Sequence, residues 1–160
     1  MKILLTAVSL FSRKAFKGIE MKYYQEWQGR LINSDGTSEG FPASVPGNIQ
    51  NDYAIFNNWG DLNYRTNCTK YAALEDLTWE YISYPQISYA DGERVFFVSK
   101  GIDYSSSVTF NGVRLCEHEG MFSDIVIDIT DYIKDSNELI VTVYPHPKRS
   151  NAFKNTRDEA

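Results

Sequence analysis

Alternation of apolar and polar residues is the feature that most constrains how this chain can fold. The pattern is clearest in residues 106–116, which alternate, reach Asn111-Gly112 and alternate again. Asn-Gly readily adopts the positive φ angles of a type I′ turn, so this stretch predicts a two-stranded hairpin. Side chains on a strand point alternately to opposite faces, and a half-buried sheet therefore requires this period of two.

Further segments predict more strands, by the same period or, at 95–98, by a fully apolar run. They are Tyr23 to Ile32, 77–84 (LTWEYISY), 95–98 (VFFV), 125–130 and 139–144. Within LTWEYISY, the residues Trp79, Tyr81 and Ser83 should share one face. Many short strands separated by turn signals, with almost no helix, predict an all-β fold, namely an antiparallel β-sandwich or jelly roll.

The segments between these strands give fewer signals. Two prolines in FPASVPG (Phe41 to Gly47) exclude a central strand and favour an extended path at a sheet edge. Ile49, Tyr53 and Phe56 follow helical spacing and predict a short helix. We expect the stretch from Asp61 to Leu77 to be irregular.

The 160 residues match one domain, which we place at residues 21–147. Residues 1–20 are interpreted as an extension or as an artefact of an upstream start codon. The codons of Lys17-Gly18 must read AAR-GGN, which resembles a bacterial ribosome-binding sequence, so translation could begin at Met21. Residues 148–160 are polar and are interpreted as a tail or truncated linker. The apolar run Ile3 to Phe11 lacks a cleavage site, so a bacterial cytoplasmic location is favoured over secretion.

Composition argues against several classes of partner. The net charge is −5 and no block of lysine or arginine is present, which disfavours nucleic-acid binding. No apolar run is long enough to cross a membrane. Cys68 and Cys116 have no metal-ligand spacing, so we expect neither a metal nor another cofactor. The high aromatic content of 14% fits either a β core or a platform for sugars.

No set of residues in the sequence predicts catalysis. His118 stands between Glu117 and Glu119, but neighbours on a strand face opposite sides, so these residues do not form an acid/base group. Nucleophile elbows and phosphate-binding loops are also missing from the sequence. Asp131 is interpreted as a cap for the short turn that follows it. We therefore predict no catalytic residues and no metal ligands in this chain.

Asn67 is the one candidate for substrate binding, and two interpretations apply to it. It lies in the long segment predicted to be irregular, and long loops in compact domains are often functional. Its amide could exchange hydrogen bonds with sugar hydroxyls. Alternatively, it is a turn residue that bonds to nearby backbone.

An ordered series of segments resembles a known family. The segments are FPASVPGNIQNDY (Phe41 to Tyr53), NYRTN (Asn63 to Asn67), LTWEY (Leu77 to Tyr81), VFFVSKGIDYSSSVTFNGVRL (Val95 to Leu115), HEGMFSDIVIDITDYI (His118 to Ile133) and NELIVTVYPHPKR (Asn137 to Arg149). Together they resemble the N-terminal sugar-binding domain of glycoside hydrolase family 2, and more the β-mannosidase-like branch than the β-galactosidases. The resemblance covers Tyr23 to Arg149.

The resemblance implies a jelly roll of the galactose-binding-like type, followed in the parent enzyme by immunoglobulin-like and barrel domains. It implies that two glutamates of the barrel perform the retaining hydrolysis, so no activity is expected of this chain alone. The parent would be a β-mannosidase-like or β-galactosidase-like hydrolase of carbohydrate metabolism. Similar enzymes place an asparagine near the sugar at the position that matches Asn67. The stretch Gly120-Met121-Phe122 is expected to pack a loop against the sandwich.

Three functions remain open from the sequence. The first is a non-catalytic sugar-binding domain of a retaining β-glycosidase, present as a fragment. Its expected partners are the missing immunoglobulin-like and barrel domains and, through the parent enzyme, a β-linked glycoside. The second is a stand-alone carbohydrate-binding module that uses exposed aromatic faces. The third is a protein-interaction sandwich with no role in sugar binding.

Overall fold

The computed structural model describes residues 4–13, 19–23, 26–33, 39–61, 64 and 66–145. Its strands are β1 (Leu4–Arg13), β2 (Ile19–Tyr23), β3 (Trp27–Ile32), β4 (Gly40–Ala43), β5 (Gly47–Asn48), β6 (Thr78–Ser83), β7 (Arg94–Ile102), β8 (Ser105–Phe110), β9 (Val113–Glu119), β10 (Ile125–Asp128) and β11 (Leu139–Tyr144). Its helices are α1 (Ile49–Phe56), α2 (Asn67–Ala72) and a 3-10 turn (Thr130–Tyr132).

The strands form two antiparallel sheets. One has five strands in the order β10-β7-β1-β2, with β5 paired to β1, and the other has six in the order β4-β3-β6-β11-β8-β9. Antiparallel pairing is found at every strand contact described. The predicted all-β antiparallel sandwich is confirmed.

A single core of large apolar side chains lies between the sheets. The six-stranded sheet contributes Trp79, Tyr81 and Val141, and the five-stranded sheet contributes Phe97; all four are fully buried. Trp79, Tyr81 and Ser83 of β6 are buried on one face, as their spacing predicted. Burial of this apolar surface is the main favourable contribution to folding.

The Asn111-Gly112 hairpin forms as predicted. Both residues have positive φ angles, 51° and 82°, between β8 and β9. The turn is also fixed by tertiary contacts, because the Asn111 amide donates to the Tyr132 carbonyl (2.7 Å) and to Asn137 Oδ1 (2.9 Å). A local turn signal and a long-range contact therefore support the same structure.

The edge position of β4 and the helix at Ile49 are also confirmed. β4 contains Pro42 and is the last strand of the six-stranded sheet, where a missing N–H costs no pairing. α1 spans Ile49–Phe56, and Asn48 caps it by accepting a hydrogen bond from the Asn51 amide at 2.9 Å.

Four predictions about local structure were wrong. The single strand expected from Tyr23 to Ile32 is two strands, with β2 ending at Tyr23 and β3 beginning at Trp27. The stretch expected to be irregular between Asp61 and Leu77 contains α2. The stretch Gly120-Met121-Phe122 was expected to pack a loop against the sandwich, but the Phe122 side chain is 90% exposed.

The fourth error concerns the cap of the 3-10 turn. Asp128, and not Asp131, holds this turn, because its Oδ1 accepts hydrogen bonds from the Thr130 amide (3.1 Å) and from the Thr130 hydroxyl (2.7 Å). Asp131 lies within the turn, and its side chain is 81% exposed.

The proposed division of the chain stays a prediction. Leu4–Arg13, within the predicted extension, lies between β7 and β2 in the five-stranded sheet. The predicted tail at 148–160 lies outside the described residues.

Candidate functional site

Asn67, the predicted substrate contact, is the first residue of α2. Its side-chain amide donates to the Asp61 carbonyl at 2.8 Å, and its backbone N–H donates to the Tyr64 carbonyl at 3.2 Å. These two bonds give Asn67 the role of a turn residue that organises its own loop. They do not test a contact with sugar, which stays a prediction.

A chain of aromatic rings fixes the position of α2. Tyr71 of α2 packs edge-on against Trp59 with ring centroids 5.7 Å apart, and Trp59 packs against Tyr53 at 5.8 Å. Tyr53 in turn contacts the buried Trp79 at 5.3 Å. Edge-to-face packing of this kind is favourable for aromatic rings. The segment that carries Asn67 is therefore attached to the core through side chains.

His118 and its neighbours lie on β9, an edge strand. Glu117 and Glu119 are exposed, whereas His118 is half-buried and its Nε2 lies 3.1 Å from the Gly120 carbonyl oxygen. His118 pairs in register with Ser106, whose buried hydroxyl has no hydrogen-bond partner among the described residues. Glu117 instead forms an ion pair with Arg114 at 2.7 Å. The alternation expected for this strand is present.

A cleft of about 840 Å³ opens where β3 begins and where β4 and β6 end. On the outer face of the sheet it is lined by Gln28, Pro42 and Ile82, which are paired across β3, β4 and β6. The Trp27 and Phe41 side chains, 4% and 2% exposed, point from the same strands into the core. Trp27 packs edge-on against the buried Tyr81 at 6.4 Å. This volume lies within the range of small-molecule sites in proteins.

The rim of the cleft is polar. Gln28, Gln86 and Glu26 line it with exposed side chains, and Tyr84, which is 56% exposed, stands beside them. Gln28 is brought to this face by register, because it pairs with Pro42 of β4 and with Ile82 of β6. Polar and apolar side chains therefore meet on the outer face of this sheet.

One carboxylate secures the wall formed by β4. Asp52 of α1 accepts a hydrogen bond from the Ser44 amide at 2.8 Å, directly after β4 ends. Burial raises the pKa of Asp52, although the Ser44 hydrogen bond opposes the shift. Burial likewise raises the pKa of Tyr81, and the nearby charge of Asp52 adds to that effect.

Two kinds of feature are absent from the described residues. That part of the chain has no group of three or more His, Cys, Asp or Glu side chains placed to hold a metal ion. It also has no helix with the length and apolar character needed to cross a membrane.

Comparison with known proteins identifies the family to which this fold belongs. The model of the glycosyl hydrolase 2 galactose-binding domain-like family matches residues 27–159. The chain belongs to this family. The match confirms the resemblance drawn from the sequence motifs and the galactose-binding-like type of the sandwich.

The relatives are much longer than this chain. The β-mannosidase of Mus musculus is 30% identical over 120 residues, which are 69% of this chain and 13% of the relative. A solved β-D-mannosidase from Dictyoglomus thermophilum has a TM-score of 0.64 at 22% identity, and 75% of this chain matches 15% of that one. A β-glucuronidase from Bifidobacterium dentium has a TM-score of 0.54 at 19% identity, with 86% of this chain and 20% of that chain covered.

The cleft was not found from the sequence. Its lining comes from 26–28, 40–43 and 82–86, which are distant in sequence and meet only through the register of three strands. A signal does exist in retrospect, since Tyr84 is an exposed aromatic residue directly after the buried residues 81–83.

Proposed function

We propose that this chain is a non-catalytic domain of a retaining β-glycosidase of the β-mannosidase-like type. The observation that carries the proposal is the family match over residues 27–159 in a chain that spans 13% of the length of the mouse β-mannosidase it resembles. Bond cleavage is assigned to polypeptide outside the described fold, and this domain contributes to holding the carbohydrate.

The environment of the acidic side chains supports a structural role for them. Retaining hydrolysis uses two carboxyl groups about 5–5.5 Å apart on either side of the glycosidic bond. Two of the described carboxylates form ion pairs, Glu80 with Arg30 and Asp124 with Lys100. Such pairing neutralises the carboxylates within the fold and fits a scaffold.

A hydrolysis assay tests the non-catalytic role. The purified 160-residue chain is incubated with 4-nitrophenyl β-D-mannoside, β-D-galactoside and β-D-glucuronide, and we expect no release above buffer. A rate proportional to the amount of chain, and abolished by Glu117→Gln or Glu119→Gln, would refute the proposal.

A chimera tests the β-mannosidase-like assignment. The matching segment of the mouse β-mannosidase is replaced by residues 27–145 of this chain, and thermal unfolding verifies that the chimera folds. We expect measurable β-mannosidase activity. A folded but inactive chimera would contradict the assignment.

The same chimera tests the proposed sugar contact at Asn67. Asn67→Ala should lower the activity of the chimera, whereas Asn51→Ala, at an exposed position of helix α1, should not. Equal activities of the two variants would remove Asn67 from the substrate site.

We further propose a reducing, cytoplasmic location. Cys68 is exposed, Cys116 is half-buried, and neither forms a disulfide. Free thiols in both environments fit a reducing compartment, since exported proteins generally oxidise such pairs when geometry allows. Recovery of the native protein in the periplasmic or extracellular fraction would contradict this location.

A second candidate function is a stand-alone carbohydrate-binding module. The cleft at the start of β3 favours it, because the cleft has ligand-sized volume and lies within this domain alone. Measured binding of a saccharide by the isolated chain would support this candidate.

A further inference from the structure

We propose that Asn111 is a site of spontaneous deamidation that the fold controls. The closed hairpin suppresses the reaction, and the product prevents the hairpin from closing again in its native form. Asn111-Gly112 is the single Asn-Gly pair in the 160-residue sequence. Glycine has no side chain to shield the attacking backbone nitrogen, so this pair is the most reactive asparagine site in the chain.

The reaction needs only the chain and water. The Gly112 backbone nitrogen attacks Asn111 Cγ, and the new C–N bond closes a succinimide ring. Nδ2 leaves as ammonia with the proton that the Gly112 nitrogen releases. Water then adds to either carbonyl carbon of the ring and breaks one of its C–N bonds. The products are aspartate and isoaspartate, and no atom is oxidised or reduced.

Three hydrogen bonds, here called the clamp, hold the Asn111 side-chain amide. Its Nδ2 donates to the Tyr132 carbonyl at 2.7 Å and to Asn137 Oδ1 at 2.9 Å. Its Oδ1 accepts from the Glu138 backbone N–H at 2.8 Å, and the Asn111 backbone N–H donates to the Glu138 carbonyl at 2.9 Å. Ring closure brings Cγ onto the Gly112 nitrogen, so the clamp must break before the reaction can occur.

The clamp itself is fixed by buried groups. Asn137 is 4% exposed, its Oδ1 also accepts from the Lys134 amide, and its Nδ2 donates to the Lys134 carbonyl. Asn137 therefore cannot turn its Nδ2 toward residue 111 without losing both bonds to Lys134. Asn111 Nδ2 thus faces two acceptor oxygens, a position that suits an amide and excludes a carboxylate.

Deamidation converts the donor at this position into an acceptor. A carboxylate oxygen in place of Nδ2 would face the Tyr132 carbonyl and Asn137 Oδ1 and be repelled by both. Lys134 Nζ, 3.5 Å from the Asn111 carbonyl oxygen, offers the new charge a partner outside the clamp. Isoaspartate also adds a methylene group to the backbone, which the short turn between β8 and β9 does not accommodate. A chain that reacts while the hairpin is open therefore loses the native turn.

Peptide mapping of the full 160-residue chain by mass spectrometry tests the proposal. The chain is held at mildly alkaline pH for equal times, either folded in buffer or unfolded in guanidinium chloride. We expect conversion of Asn111 to be slower in the folded chain by at least about tenfold, because several hydrogen bonds must break together. Asn58, which also has a positive φ but precedes the bulky Trp59, should react slowly in both states.

Two variants separate the clamp from global stability. Asn137→Leu removes one acceptor of Asn111 Nδ2 and should speed the reaction in the folded chain by up to about tenfold, as expected for loss of one hydrogen bond. Gly29→Ala destabilises the fold by overlap with the Phe41 ring and leaves the clamp intact, so it should speed the reaction less. Circular dichroism verifies that each variant is folded.

A direct mimic tests the consequence of the reaction, and it decides the matter if Asn137→Leu does not fold. Asn111→Asp reproduces one product, and Asp is itself an accepted residue in a type I′ turn. We expect it to lower the denaturant midpoint and to remove hydrogen-exchange protection from β8 and β9 first. Asn58→Asp, the same change at an exposed position with positive φ, should do neither.

Each arm has an outcome that would overturn the proposal. These outcomes are equal conversion of Asn111 in the folded and unfolded chain, a rate in Asn137→Leu no higher than in Gly29→Ala, and an Asn111→Asp variant as stable as Asn58→Asp.

Discussion

Gly29 is required at its position because the ring of Phe41 occupies the space where a side chain would lie. A Cβ atom at residue 29 would overlap ring carbons of Phe41, which is 2% exposed and lines the cleft. We expect Gly29→Ala to lower the free energy of unfolding by about 1–3 kcal/mol, the usual cost of overpacking. Urea unfolding followed by fluorescence measures it.

Gly40 offers a matched control for that substitution. It lies in the neighbouring strand β4, and a Cβ there would have no atom within 4 Å. Gly40→Ala should therefore change stability little. Phe41→Leu should recover part of the loss when combined with Gly29→Ala, because contacting residues are not additive. Equal effects of the two alanine variants would contradict this account of Gly29.

Asn137 is a buried polar residue whose side chain satisfies several groups at once. The residue is 4% exposed. Its Oδ1 accepts hydrogen bonds from the Lys134 amide and from Asn111 Nδ2, both at 2.9 Å. Its Nδ2 donates a hydrogen bond to the Lys134 carbonyl at 2.9 Å. We expect Asn137→Leu to destabilise the fold by about 1–3 kcal/mol, because buried partners are left unsatisfied. Urea unfolding should show this loss, whereas the exposed Ser136→Ala should show almost none. A loss no larger than that of Ser136→Ala would mean that water replaces the amide.

The 3-10 turn Thr130–Tyr132 depends on the carboxylate of Asp128. The contribution of this carboxylate to the stability of the fold should vary with pH. Burial alone would raise the pKa of Asp128, but hydrogen bonds from Arg94 and Thr130 outweigh it, so the pKa lies below its usual range. A lowered folded-state pKa stabilises the fold above the unfolded pKa, and this contribution is lost as the pH falls through the folded value.

Asp128→Ala should therefore cost about 1 kcal/mol at neutral pH, as loss of a capping side chain does. The difference from wild type should shrink in acid, and unfolding curves across the acid range measure it. Asp131→Ala is the matched control, since Asp131 is 81% exposed and its Oδ2 lies 3.9 Å from Arg94 Nη2. A larger cost for Asp131→Ala, or no dependence on pH, would refute this assignment of the cap.

Helix α2 is stabilised by tertiary packing more than by its own sequence. It has six residues, and its N-cap, Thr66, makes no side-chain capping bond. A helix this short is marginal without packing. We expect Trp59→Ala to remove hydrogen-exchange protection from Asn67–Ala72 first, with a smaller loss of global stability. Tyr64→Ala, which removes a ring that is 60% exposed, should leave that protection intact. Unchanged protection in Trp59→Ala would show that the ring contacts do not hold α2.

The contrast between local sequence and tertiary packing also explains which elements could be predicted from the sequence. The hairpin at Asn111-Gly112 and the edge strand β4 depend on local backbone chemistry, so both were predicted correctly. α2 was missed because its support is Trp59 and Tyr71, a contact that no local period reveals. Phe122 was placed wrongly because a large aromatic side chain is usually buried, whereas this one is 90% exposed.

At the scale of the whole molecule, family motifs predicted the fold, whereas the cleft needed the coordinates. The motifs cover the strands from β4 to β11, and the match over residues 27–159 confirms the family. The cleft depends on the relative register of β3, β4 and β6, which sequence spacing does not define. The family match begins at Trp27, yet the five-stranded sheet includes strands that precede it.

Removal of residues 1–20 tests which part of the chain is needed for folding. β1 pairs with β7 from Leu5↔Ile102 to Arg13↔Arg94 and also with β5, so a chain that starts at Met21 would leave both strands without these partners. Each backbone hydrogen bond contributes about 0.5–1.5 kcal/mol, so we expect a loss on the order of several kcal/mol, larger than that of any single substitution above. Urea unfolding of the two chains measures the loss. Equal stability would mean that β7 does not need β1, and the domain would then begin after residue 20.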